Sequence, residues 1–253
     1  MATGPILPQW QVDAFAAEAF RGNPAAVVPL DDWLPDATLQ AIALENNLSE
    51  TAFLVKAADG EAGPWQLRWF TPAVEVDLCG HATLASAHVL FNHAGFEGDE
   101  IQFYSERSGA LAVRRLEDQQ LQLNFPADET HLVDIPPAAA EALGQVPLKA
   151  IAGKTDLMLV FESESIIRSI DPDLVKLKSL DYRGIIVTAP GDEVDFVSRF
   201  FGPQVGIDED PVTGSAHTTL TPYWSEQLNK HVLSAMQLSK RLGRLQCELQ
   251  GDR

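Results

Sequence analysis

A chain of 253 residues, 45% hydrophobic and 21% charged, has the balance of a globular protein with a sizeable core. Its length admits one large domain or two of about 120 residues each. Eighteen Lys and Arg against 36 Asp and Glu leave a net charge of −18, which repels a phosphate backbone, so nucleic acid is not an expected partner. No run of about eighteen apolar residues occurs, and the start MATGPILPQWQVDAF lacks the pattern of a secretory leader, so a cytoplasmic protein without a membrane partner is expected.

In chain order, a strand is predicted at Gln11–Phe15, then a loop through Phe20-Arg21-Gly22-Asn23-Pro24 and a strand from Ala25 to Pro29. Pro35 and Asp36 open a helix that Asp36 is placed to cap, with Leu39, Ile42 and Ala43 on its apolar face. Asn46-Asn47 ends it, because Asn tolerates the left-handed conformation of a helix terminus. Thr51–Val55 and Trp65–Phe70 are strands by their aromatic and β-branched content. Gly80 opens a second helix, Ala82 to about Asn92, apolar on most sides and therefore central. Strands follow at Ile101–Tyr104, Ala110–Arg114 and Leu121–Phe125. The stretch from Pro126 to Pro147 is read as a connection with one short helix.

The same order then returns: a strand at Leu157–Phe161, a capped helix from Asp171, strands at Gly184–Val187 and Asp195–Phe201, and a glycine-led helix near Gly214. Asp36-x-x-Leu39 falls on Asp171-x-x-Leu174, and Cys79-Gly80-His81-Ala82 on Thr213-Gly214-Ser215-Ala216, at nearly one offset. A duplicated half follows, with domains at 1–126 and 127–253. Each half is expected to wrap several strands around one apolar helix. The two glycine-led helix starts would point at a shared cleft, where unpaired N–H groups and the helix dipole suit a small anionic substrate.

Candidate chemistry is sparse. Glu45 falls on the last turn of its helix after Ala41-Ile42-Ala43-Leu44, and both the helix end and the apolar run favour the protonated form. His81 heads the buried helix, where an imidazole serves as cap, donor or orienting group. Asp210 precedes the second glycine-led helix, where its charge suits the dipole whatever its role. Ser215 and Thr213 are equally suited to capping and to binding. Cys79 and Cys247 stand far apart, and the six histidines offer no H-x-x-x-H pair with a third ligand nearby, so no metal is expected.

Val12-Asp13-Ala14-Phe15 with Gly22-Asn23-Pro24, Leu44 to Phe53 (LENNLSETAF), Phe70-Thr71-Pro72 with Asp77 to Thr83 (DLCGHAT), and Gly206 to His217 (GIDEDPVTGSAH) together resemble the PhzF-like isomerases of phenazine biosynthesis. The resemblance implies an α/β (α+β) fold of two similar domains, each a curled mixed sheet or barrel around a central helix, as in diaminopimelate epimerase. It implies a homodimer and an isomerase that moves a proton without metal or organic cofactor, by allylic isomerisation or epimerisation of a small carboxylate-bearing substrate. It matches Glu45 to the acid/base glutamate and His81, Asp210 and Ser215 to supporting polar residues. Gly80 and Gly214 match the glycines whose backbone meets the substrate; Asn23 lies in a loop that either approaches the site or merely turns the chain.

Similar proteins usually continue past Arg253 through another strand pair, so the last domain is expected to be shortened. Two other functions are open. A two-base amino-acid racemase on this fold needs a thiol where Thr213 stands; a non-catalytic anion-binding or interaction protein would keep the pocket alone.

Overall fold

The structure, a computed structural model, describes residues 6–57 and 64–253. Residues 1–5, the first part of the stretch read for a leader, lie outside the described residues. Two compact units divide the chain: Met1–Ala14 with Pro24–Asn124, and Phe15–Asn23 with Phe125–Arg253. Residues 15–23, which the sequence assigns to the first half, therefore pack with the second. Gly22 N donates to Leu242 O at 2.8 Å and Arg244 N to Phe15 O at 3.3 Å.

The first unit runs β1 (Trp10–Ala14), β2 (Asn23–Leu30), α1 (Asp36–Asn46), β3 (Glu50–Lys56), β4 (Trp65–Phe70), β5 (Glu75–Val76), α2 (Gly80–Asn92), β6 (Glu100–Ser105), β7 (Gly109–Arg115) and β8 (Leu121–Leu123). Its sheet has the order β1-β2-β3-β4-β6-β7-β8, with β5 attached to β4. Two parallel joins, β2 with β3 and β4 with β6, are bridged by α1 and α2; a parallel pair needs such a crossover.

The second unit runs β9 (His131–Val133), α3 (Pro137–Leu143), β10 (Lys149–Ala152), β11 (Asp156–Val160), α4 (Glu164–Ser169), α5 (Leu174–Leu177), β12 (Gly184–Pro190), β13 (Phe196–Gly202), β14 (Ile207–Asp210), α6 (Gly214–Leu228), β15 (Val232–Gln237) and β16 (Gly243–Glu248). The order is β9-β10-β11-β12-β13-β15-β16, with β14 on β13, and its parallel joins are β11 with β12 and β13 with β15. Strands β2, β3, β4, β6 and β7 thus correspond to β11, β12, β13, β15 and β16, and α2 to α6. Each unit is a curled mixed sheet around one central helix. The edges differ: among the described residues, β8 has no counterpart in the second sheet and β9 none in the first.

Both faces of the sheets are covered, which is why several strands are unbroken apolar runs. In β11 and β12, Leu157, Leu159, Ile185, Val187 and Ala189 pack with α3, α4 and α5, while Met158, Val160 and Ile186 join Ala216, Leu220 and Trp224 of α6. The period of two along a strand sends neighbours to opposite faces. In the first unit Leu39 and Ala43 of α1 meet Val28, Phe53, Val55 and Phe70. Helix α2 is buried at every position from Gly80 to Phe91 except His88, as expected of a helix apolar on most sides.

Local signals account for the ends of α1, one of them differently from the expectation. Asn47 is left-handed (φ 49°, ψ 37°) and closes the helix. Asp36 is the first helical residue rather than the cap, and its carboxylate instead accepts from Arg68 Nη1 at 2.9 Å. The helix expected from Asp171 begins at Leu174, capped by Asp173, which accepts from Lys176 N at 3.1 Å. Only the Gly80 and Gly214 landmark of the repeat marks matching helix starts.

Pro222 sits inside α6 and has no N–H for the Thr218 carbonyl one turn earlier. That carbonyl accepts from Asp128 N at 3.1 Å, while the Asp128 carboxylate accepts from Thr219 Oγ1 at 2.9 Å and from Lys154 N. The proline's lost bond is thus replaced from outside the helix.

Gly184 opens β12, and a Cβ there would run into the Phe200 ring, itself packed in the core against α6. Gly184→Ala is expected to lower stability by about 1 to 3 kcal/mol through overpacking, and Phe200→Leu in the same chain to restore part of it. Urea unfolding of the three proteins is the check. Parent-like stability of the single variant would show that the ring yields freely.

Candidate active site

In the first unit the chemistry collects where β3 begins and α2 begins. Asn46 Nδ2, at the end of α1, donates to Thr51 Oγ1 at 3.0 Å, and Asn47 reverses the chain. This turn leaves Glu45 exposed on the last turn of α1 and brings Glu50, the first residue of β3, into the interior. Leu44 beside Glu45 is 61% exposed, so the apolar setting expected for that carboxylate is absent.

Cys79 is extended (φ −142°, ψ 106°) and leads into Gly80, which turns His81 inward. Glu50, Cys79 and His81 are all buried. His81 Nε2 lies 3.1 Å from Glu50 Oε2, close enough for an ion pair though off the ideal hydrogen-bond line, and its Nδ1 lies 3.4 Å from Cys79 Sγ. Burial pushes the Cys79 thiol up to about 11, and the Glu50 carboxylate adds to the rise. Burial works against the charged form of His81, but Cys79 and Glu50 beside it outweigh that and hold the ring well above the usual imidazole range. With Cys79 kept as a thiol, Glu50 is the partner that matters.

In the second unit the corresponding helix start is a polar network. Thr213, the counterpart of Cys79, is extended (φ −109°, ψ 99°) ahead of Gly214. Its hydroxyl donates to Asp210 Oδ2 at 2.5 Å, and Asn23 Nδ2 donates to Asp210 Oδ1 at 2.8 Å and to Val212 O at 2.9 Å. Gln237 accepts from Thr213 N at 2.9 Å and donates to Asp210 O at 2.8 Å. Asn23 and Asp210 are therefore brought together, and their bonds hold the chain as it enters α6.

Ser215 Oγ accepts from Arg183 Nη2 at 3.0 Å. The same guanidinium is gripped by buried Asp156, with Nε to Oδ1 at 2.8 Å and Nη2 to Oδ2. Burial opposes the charge on Arg183, but Asp156 keeps it firmly ionised. Neither Cys79 nor Thr213 caps its helix with its side chain, so the first turns of α2 and α6 depend on other acceptors.

Sequence reasoning passed over Glu50, Asp156, Arg183 and Gln237. For Glu50 a signal existed: it lies inside the LENNLSETAF stretch, directly before a strand of apolar residues, where a lone carboxylate enters a core. For the other three no local pattern separates them from ordinary loop and strand residues.

A family model described as phenazine biosynthesis-like protein matches residues 12–253. An uncharacterised isomerase of Pseudomonas aeruginosa is 53% identical over 96% of this chain and 91% of its own. The crystal structure of a PhzF-family phenazine biosynthesis protein from Enterococcus faecalis superposes with a TM-score of 0.92 at 50% identity, covering 97% of this chain and 92% of that one. A hydroxyproline epimerase of Agrobacterium vitis shares the fold with a TM-score of 0.63 at 11% identity, over 97% and 84% of the two chains.

Proposed function

Since the chain belongs to the phenazine biosynthesis-like (PhzC-PhzF) family, we propose that it is an isomerase or epimerase that moves a proton on a small carboxylate-bearing substrate, with Glu50 as the acid/base group. The observation that carries this reading is the buried Glu50 carboxylate 3.1 Å from the His81 imidazole at the start of α2. A base that removes a proton from carbon works best desolvated and next to a group that compensates its charge, and this pair supplies both. Glu50 takes the proton and returns it to another position or face; His81 balances the charge as the carboxylate gains and loses it. Backbone N–H groups in the first turn of α2, beside Gly80, are suited to the developing negative charge. In the second unit, the first turn of α6, beside Gly214 and Ser215, carries donors of the same kind.

The relatives' names support the isomerase class, and the epimerase's fold supports the architecture alone. The test is incubation of the full chain in heavy water with a panel of cyclic and amino acids, followed by mass spectrometry for deuterium at carbon. Exchange supports the proposal. Saturable binding of panel members without exchange would favour a binding protein.

A further inference from the structure

We propose that Glu50, Cys79 and His81 also form a binding site for a thiophilic divalent cation of the zinc class, whose occupancy reversibly blocks proton transfer. The second half of this inference rests on the function proposed above; the first does not. One ligand atom from each of the three residues lies within 4.8 Å of the other two, and all three residues are buried. Bonds of about 2.0 Å to nitrogen or oxygen and 2.3 Å to sulfur put tetrahedral ligands roughly 3.3 to 3.5 Å apart. The observed Sγ to Nδ1 distance of 3.4 Å already matches; Glu50 Oε2 faces the other ring nitrogen, Nε2, so an ion held by Sγ and Nδ1 requires the carboxylate to turn from Nε2 and close on it.

The donor set decides the class of ion. One sulfur, one imidazole nitrogen and one carboxylate oxygen suit zinc and its neighbours, whereas magnesium and calcium require shells of oxygen. Three protein ligands leave a fourth position for water, as in open zinc sites. On binding, the Cys79 S–H bond and the N–H bond of the ligating His81 nitrogen break, both protons pass to solvent, and sulfur–metal and nitrogen–metal bonds form, with no change of oxidation state. No local spacing in the sequence marks the set, because its ligands come from two elements, an i, i+2 pair at the start of α2 and a carboxylate from β3.

A net charge of −18 attracts cations everywhere on the surface, so the test must read sulfur ligation itself. Cobalt(II) added to the full-length protein is expected to give an intense tetrahedral spectrum with a thiolate-to-metal charge-transfer band, at one ion per chain, that zinc abolishes. Cys79→Ser should remove the band and Cys247→Ser should keep it, with circular dichroism confirming both folds. Glu50→Gln should weaken zinc binding at least tenfold. Absence of the band at saturating cobalt, or its survival in Cys79→Ser, overturns the site. For the blocking role, zinc should stop the heavy-water exchange with the midpoint of its binding; undiminished exchange by the zinc-loaded protein overturns that half. If no substrate exchanges at all, the function proposal falls while the cobalt spectrum still decides the metal site.

Discussion

Replacing Glu50 by Gln is expected to cut carbon–hydrogen exchange by roughly 100- to 10,000-fold, the usual worth of a positioned acid/base group. The amide keeps the shape of the carboxylate but cannot take up a proton, and it withdraws the negative charge that faces His81 Nε2 at 3.1 Å. The fold should survive, because the side chain remains polar and fills the same space; near-ultraviolet circular dichroism is the control. Glu45→Gln supplies the decisive contrast. If exchange disappeared there and persisted in Glu50→Gln, the acid/base role would belong to the exposed end of α1 after all.

The second large effect is on acid stability. His217 on α6 is fully enclosed; its Nδ1 donates to Thr213 O at 2.8 Å, and the ring lies beside Phe196. Burial lowers it to about 4, with the Thr213 carbonyl only partly opposing that. Its folded value lies below the unfolded one near 6.5, so the unfolded chain binds the extra proton first. The stability it contributes is complete above about pH 6.5 and is lost as pH falls toward 4, a total of about 3 kcal/mol. Urea unfolding between pH 7 and pH 4 should show this slope, and His217→Gln should flatten it. An unchanged slope in the variant would assign the loss to other groups. His81 behaves oppositely: its raised value confers stability that is present at low pH and fades as pH rises through the folded value.

The elements that the sequence made legible are those whose signal is local. Asn47 ended α1 as its backbone freedom requires, and the all-round apolar face of α2 put that helix at the centre of a sheet. What escaped depended on partners distant in sequence. Strands β9 and β10, which pair with each other, fall in or just beyond the stretch read as a connection, and three- or four-residue strands carry too little alternation to be seen. Asp171 and Asp173 are equally good helix caps on paper, and packing chose the second. Glu45 and Glu50 present the same difficulty at the candidate site. Both belong to one motif, and the family resemblance together with helix-end electrostatics favoured the first, whereas only the second is buried, a property that emerges when β3 enters the sheet.

The excursion of residues 15–23 bears on how such a protein can be divided. Although the two units repeat one topology, neither is a continuous stretch of chain, since the peptide leaves the first at Ala14, returns at Pro24 and leaves again at Asn124. A gene cut between Asn124 and Phe125 would strand Asn23 on the wrong fragment and strip Asp210 and Val212 of its amide. Each unit draws on two stretches of chain, so no single cut yields either of them whole.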